Sequence, residues 1–388
     1  MQTVECATVK EAVQRSGVAD GTAGRALLFA VDVGATNTRL ALTLDFTRVF
    51  FVKVKADSAA NVAASIVEFW KAVAESYPTW RPRVAAAAIA VPGPVTDGSY
   101  AVIANFKGDT TEARTLRRDT LTAACEALCP RGRTLLLNDL ESAAMGIAGL
   151  DRAALLSPTF VEAWPGTVAD GKSLRNGRVV VVAPGTGLGC ALILHEAASK
   201  GAAEQGGAYK VIPLEFGHTP VPSQPEGSPH ARVLRAFGKK LGRDVEYDDV
   251  CSGRGLQQAF ATLSSTESSP EAAEIASRAS NGDAAALAAL QVHYDFTLIF
   301  AANLTMGFMA THVVLAGDNV VANSAFLRKA NDRLRRTMLS HSMERLGFMS
   351  RAAVLKQTAF VNLNLIGAAF AANSTANAAA RLVANAKL

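Results

Sequence analysis

The sequence predicts an α/β protein of two domains that face one another across a cleft. Three features predict it: the chain length, a matched pair of glycine-rich turns, and a strand–helix order that occurs twice. At 388 residues the chain exceeds what one hydrophobic core supports and fits two. The first turn, Asp32-Val33-Gly34-Ala35-Thr36-Asn37-Thr38-Arg39-Leu40, follows the apolar run Leu27-Leu28-Phe29-Ala30-Val31. The second, Gly185-Thr186-Gly187-Leu188-Gly189, lies between Val179-Val180-Val181-Val182 and Ala191-Leu192-Ile193-Leu194. Both read as strand, tight turn, strand. Glycine there lets backbone N–H groups converge on an anion, and Thr and Asn add donors. One such turn is an ordinary hairpin; two of them facing can grip a polyphosphate from both sides.

The elements follow in order. Residues 1–25 hold no strong periodicity and read as an extension or short helix. Apolar-rich strands over 27–33, 39–46 and 49–55 are joined by short turns, hence antiparallel. Over 61–77, Val62, Ile66, Phe69, Trp70 and Val73 recur at helical spacing. The run 84–91, closed by Pro92-Gly93-Pro94, reads as a strand buried on both faces. A helix over 112–128 and a strand over 134–137 complete the first set. The second half repeats strand, glycine turn and strand to residue 194, with a hairpin around 210–213. Several helices follow, then a strand at 312–316, a helix at 324–336, a strand at 352–355 and a final helix from Asn362. Polar segments at 221–228 and 264–270 read as surface insertions. The domains expected are an extension over 1–25, a small α/β domain of 26–149 plus 361–385, a large one of 150–360, and a terminal tripeptide, 386–388.

Composition narrows the class. Hydrophobic residues make up 49% and charged ones 19%, a globular balance. The net charge of +5 is scattered and suits small anions; no Lys/Arg block interleaves with aromatics, so no nucleic acid is expected. Five cysteines, an odd number without metal-ligand spacing, point to a reducing compartment. Residues 296–317 carry no Asp, Glu, Lys or Arg and are long enough to span a bilayer. Asn303, Thr305, Gly307, Thr311 and His312 interrupt them, so a buried helix feeding a core strand is expected and no membrane. A basic-then-apolar leader is not seen at the N-terminus.

Asp139 follows an apolar strand, and ligands of open α/β sheets lie beyond strand carboxyl ends. Its carboxylate reads either as a base accepting a hydroxyl proton or as the N-cap of the next helix. Asp32 reads as a holder of Mg²⁺ through water, or as the start of an Asx-turn in its own hairpin.

The Asp32-x-Gly-x-Thr-Asn turn, the Gly185-Thr186-Gly187 turn, Asn138-Asp139 and Leu315-Ala316-Gly317-Asp318 together resemble the bacterial-type glucokinases of the hexokinase/actin/Hsp70 superfamily. The resemblance runs from about residue 26 to 372 and is strongest to kinetoplastid glycosomal members. It implies the two-domain ribonuclease-H-like/actin-like ATPase fold and Mg²⁺- and ATP-dependent phosphorylation of glucose at its 6-hydroxyl. Asp139 would be the catalytic base. Asn105, Asn138, Asp139, Glu215, His218 and Asp248 would contact the sugar; Asp248 stands where the family has a longer Glu. Asp32, Gly34, Thr36, Asn37, Gly185, Thr186, Gly187, Gly317 and Asp318 would hold the nucleotide, Asp32 through Mg²⁺. Asp318 replaces the second glycine usual at that strand end. Arg39 and Arg254 are further charge partners. The resemblance also implies a homodimer.

Ala386-Lys387-Leu388 is similar to the peroxisomal Ser-Lys-Leu address, which implies glycosomal import through the peroxisomal receptor. Unused, it leaves the enzyme in the cytoplasm. Rival readings are a kinase for mannose, fructose or glucosamine, a non-catalytic sugar sensor on the same fold, and an ATPase acting through protein partners.

Overall fold

The structure, a computed structural model, describes residues 2–20, 25–34, 36–80, 83–164, 174, 177–196, 208–266 and 269–385. The chain forms two compact units, Met1–Ala153 with Val361–Leu388, and Ala154–Phe360.

In the first unit the strands are β1 (Gln2–Glu5), β2 (Leu27–Val33), β3 (Asn37–Thr43), β4 (Arg48–Lys55), β5 (Val84–Val91), β6 (Val95–Thr96), β7 (Tyr100–Val102), β8 (Thr115–Arg117) and β9 (Thr134–Asn138). Its helices are α1 (Val9–Ser16), α2 (Ala59–Ser76), α3 (Arg118–Ala124), α4 (Asp139–Arg152) and the returning α14 (Leu363–Asn385). The main sheet runs β1-β4-β3-β2-β5-β9, and β6-β7-β8 form a small second sheet. Strands β2, β3 and β4 are antiparallel neighbours, whereas β5 lies parallel to both β2 and β9. The continuous apolar runs follow from burial on both faces. Phe29 and Val31 pack with Ile66 and Phe69, while Leu28 and Ala30 meet Leu365, Ala368 and Ala369 of α14.

In the second unit the strands are β10 (Phe160–Glu162), β11 (Arg178–Pro184), β12 (Leu188–Glu196), β13 (Ala208–Leu214), β14 (His312–Leu315) and β15 (Ala353–Gln357), in the order β10-β15-β14-β11-β12-β13. Its helices are α5 (Leu156–Thr159), α6 (Pro229–Leu241), α7 (Tyr247–Val250), α8 (Gly253–Ser264), α9 (Ala272–Ser280), α10 (Ala284–Phe308), α11 (Asp318–Ala322), α12 (Ser324–Lys329) and α13 (Asn331–Leu339). Helix α10 has the length and composition of a membrane span, yet 67% of its apolar window is buried inside the protein. A helix apolar all round belongs in a core, and Tyr294, Phe296 and Phe300 are fully enclosed there.

Three expectations need correction. Residues 2–16 hold the short helix that was one alternative, α1, which places Ala12 and Val13 in the core of the unit, but they are no loose extension, since β1 pairs in parallel with β4. A helix over 112–128 forms only at Arg118–Ala124, because Thr115–Arg117 add the third strand of the small sheet. The helix over 324–336 is two, broken at Ala330, which lies outside α12 and α13. Ala386-Lys387-Leu388 lies outside the described residues.

Candidate active site

In the first unit, β2 and β3 meet at the first glycine turn. Gly34 N–H donates to Asn37 O at 2.9 Å, and a Cβ on Gly34 would stand 2.9 Å from that oxygen, so glycine is required. Thr36 is exposed at the tip and Asn37 half-buried. Asp32, at the end of β2, is 4% exposed. Its Oδ2 accepts from Arg39 Nη1 and Asn362 Nδ2, each at 2.8 Å, and its Oδ1 from Asn364 Nδ2 at 3.2 Å. An ionised carboxylate has about four acceptor directions. Three are taken, which leaves one for a water or a metal ion. Among the described residues no cluster of three or more His, Cys, Asp or Glu is arranged to hold a metal.

Asp32 pairs with Ala90 of β5, and Val91 of β5 with Asn138 of β9, so these strand ends lie side by side. Asn138 is buried and caps α4. Its Oδ1 accepts from Leu140 N at 2.9 Å and Glu141 N at 3.2 Å, and its Nδ2 donates to Gly93 O at 2.8 Å. Glu141 returns a bond from Asn138 N at 3.3 Å, completing a capping box. Burial raises the Glu141 pKa. The N-cap role weighed for Asp139 therefore belongs to its neighbour, whose carboxamide is largely spent on backbone. Asp139 occupies the first helical position, half-buried, its Oδ1 accepting Leu140 N–H at 2.8 Å. The helix N-terminus favours negative charge there. One turn on, Ser142 Oγ donates to Asn364 O at 2.7 Å, which ties the helix carrying Asp139 to the residue holding Asp32. Asn105 is exposed on a turn closed by Phe106 N–H to Ile103 O.

In the second unit, β11 and β12 meet at the second turn. Gly185 N–H donates to Gly187 O, and Gly185 O accepts Gly253 N–H, both at 2.8 Å. The N-terminus of α8, capped by buried Ser252, thus abuts the turn, an arrangement that attracts anions. Gly185 and Thr186 are exposed. Asp248 Oδ1 accepts Leu188 N–H at 2.6 Å, and a Cβ on Gly187 would collide with that oxygen. Asp248 thus fixes the phosphate-type turn, a task its sequence did not indicate. Gly317 follows β14 with φ of 103°, a conformation that favours glycine, and a Cβ there would lie 3.6 Å from Pro184 O. Gln357 Oε1 accepts its N–H at 2.8 Å. Asp318 is exposed at the start of α11, and Arg254 is exposed in the first turn of α8.

Glu215 and His218 flank a short turn pressed onto β12, where a Cβ on Gly217 would stand 2.5 Å from Leu188 O. His218 Nδ1 lies 3.0 Å from Glu246 Oε2, and its Nε2 lies 3.9 Å from Glu215 Oε2. The hydrogen bond to Glu246 raises the His218 pKa, with Asp248 and Glu215 adding to it against partial burial. The structure therefore gathers Gly185–Gly187, Glu215, His218 and Asp248 into one cluster and adds Glu246. It also adds Asn362 and Asn364 to the first unit's cluster. No signal in the sequence marked Glu246; Asn362 and Asn364 showed only as polar residues opening the last helix.

The glucokinase family profile matches residues 29–373. Glucokinase 1 of Trichomonas vaginalis is 31% identical over 309 residues, 75% of this chain and 78% of that relative. The crystal structure of the Balamuthia mandrillaris glucokinase in complex with glucose matches with a TM-score of 0.79 at 30% identity, over 94% of this chain and 98% of that one. The Leishmania braziliensis glucokinase gives 0.77 at 29%, over 96% and 99%. The fold is thus that of the actin-like ATPases.

Proposed function

The chain belongs to the glucokinase family and is a glucose kinase; we propose that it transfers the γ-phosphoryl group of ATP to the 6-hydroxyl of glucose, with Asp139 as the base. Phosphoryl transfer asks the protein for in-line positioning, charge stabilisation and an acceptor for the hydroxyl proton. Asp139 supplies the acceptor. The observation that carries this role is the capping box on Asn138 and Glu141, which makes the start of α4 without Asp139 as its cap. As the sugar oxygen attacks phosphorus and the bridging bond to ADP breaks, the hydroxyl proton passes to a carboxylate oxygen of Asp139.

In the second unit Glu215 and His218, with Asp248 beside them, offer the carboxylate and imidazole that sugar hydroxyls need, and in the first unit Asn105 and Asn138 offer carboxamides. The turns of Gly34, Thr36 and Asn37 and of Gly185, Thr186 and Gly187 cradle phosphate oxygens, with the N–H groups of Gly34 and Gly185 closing the turns themselves. Gly317 and Asp318 receive the nucleoside. Mg²⁺ held through water by Asp32 would supply neutralisation of phosphate charge.

Replacing Asp139 with Asn tests the assignment in a coupled assay of ADP release. Turnover falls by ~10²–10⁴, the usual worth of a positioned base, while glucose affinity stays within about tenfold. Ordinary turnover in that variant would overturn the role. Two finer readings rest on the resemblance: a homodimer, checked by sedimentation, and import into a glycosome through Ala386-Lys387-Leu388. A reporter carrying these residues that stays in the cytosol would remove the second.

A further inference from the structure

We propose that the second unit carries a separate site for an apolar small molecule bearing one anionic group, and that its occupancy is sensed at the nucleotide end of β14. The cavity, of about 570 Å³, lies between the start of α6, the end of α9, the exposed face of α10, and α12 and α13. That volume suits a drug-sized ligand. None of the glycine-turn, sugar-cluster or Gly317-Asp318 residues lines it. Leu287, Ala288 and Val292 from α10 and Ala325 and Phe326 from α12 make its walls apolar.

The charge at the rim selects the ligand. Asp295 is 4% exposed and all its acceptor directions are engaged. Oδ2 is 3.0 Å from His230 Nε2 and 3.1 Å from Arg333 Nη2, and Oδ1 accepts from Gln291 Nε2 at 2.7 Å and Thr337 Oγ1 at 2.9 Å. Burial opposes the Asp295 charge, but His230, Thr337 and Arg333 together hold its pKa below the ordinary value. The carboxylate thus balances Arg333 and fixes its guanidinium at the mouth. Lys329 also lines the cavity, and among the described residues no carboxylate pairs with it. Lys329 therefore faces an apolar chamber without a paired carboxylate among the described residues, which is complementary to a carboxylate, sulfonate or phosphate on a hydrophobic body.

The wall also leads toward the substrate. The Phe326 ring stacks on Tyr294 with centroids 5.8 Å apart, and Tyr294 OH donates to Asn319 Oδ1 at 2.6 Å. Asn319 adjoins Asp318, so a ligand that shifts Phe326 bears on α11. This sensing rests on the reading that Gly317 and Asp318 receive the nucleoside; the binding site itself does not.

Anilinonaphthalene sulfonate, an aromatic body with one sulfonate, is the probe, titrated by fluorescence into the full-length native enzyme. One saturable site per chain is expected, undisplaced by saturating ATP and glucose. Ala288→Trp, which fills the cavity, and Lys329→Glu, which reverses its charge without touching the core, should each weaken binding at least ~10-fold. Both should leave turnover without probe unchanged. Saturating probe should shift KM for ATP and leave KM for glucose. Displacement by ATP, or equal binding in both variants, would overturn the site; an unmoved KM for ATP would overturn its coupling. Probe binding in the Asp139→Asn variant keeps this result separate from the catalytic assignment.

Discussion

Among single residues, His218 and Asn138 show how partners redirect a reading made from sequence. The hydrogen bond that His218 donates to Glu246 raises the folded-state pKa of His218 above its unfolded value. The pair therefore stabilises the folded protein fully at pH below the unfolded value, and that contribution is lost as pH rises through the raised one. Glu246→Gln should bring the His218 pKa down toward the ordinary range, read by NMR titration of the imidazole, and narrow the pH span of tight glucose binding on its alkaline side. An unshifted titration would remove Glu246 from the site. Asn138→Ala should cost about 0.5–2 kcal/mol in unfolding free energy through its lost cap. The sequence marked the position of Asn138 and Asp139 at a strand end but could not divide their tasks, because capping depends on which side chain turns back toward Leu140 and Glu141. Glu246 was illegible for another reason: it lies 28 residues from His218, and only the folded chain joins them.

At the level of elements, periodicity spoke clearly wherever burial was complete. The limits of β2 and β5 match the apolar runs at 27–33 and 84–91, since strands enclosed on both faces admit few polar residues. The short, polar strand β1 carried no such signal and owes its place to pairing with β4. The glycines between α4 and α14 were equally silent, because no local turn requires them. A Cβ on Gly146 would stand 2.5 Å from Leu363 O, and one on Gly367 would run into Ser142 O. Gly367→Ala should therefore push the helices apart, costing about 1–3 kcal/mol by overpacking. Since α4 begins at Asp139, the same variant should lower kcat more than it raises KM for glucose. A melting temperature and a kcat both equal to the parent's would show that the helix pair has slack.

For the molecule as a whole, the two units differ in how the chain supplies them. The second is continuous, Ala154–Phe360, and has its own core around α10. Expressed alone it should fold cooperatively, as judged by near-ultraviolet circular dichroism and a sharp thermal transition. Residues 1–153 alone should not, because the face of β2 and β5 that α14 covers would be bare. Recovery on adding a peptide of residues 361–385 would support this account, and folding of 1–153 without it would refute it. Two glycine turns announce two sheets, and two large sheets form; the packing of the final helix on the first sheet carries no periodic sign, because the residues it covers, Leu28 and Ala30, lie at the other end of the chain. Asn362 and Asn364, which hold Asp32, are 330 and 332 residues downstream of it. During synthesis, then, the Asp32 carboxylate has Arg39 but neither asparagine to orient it until residue 364 has been made.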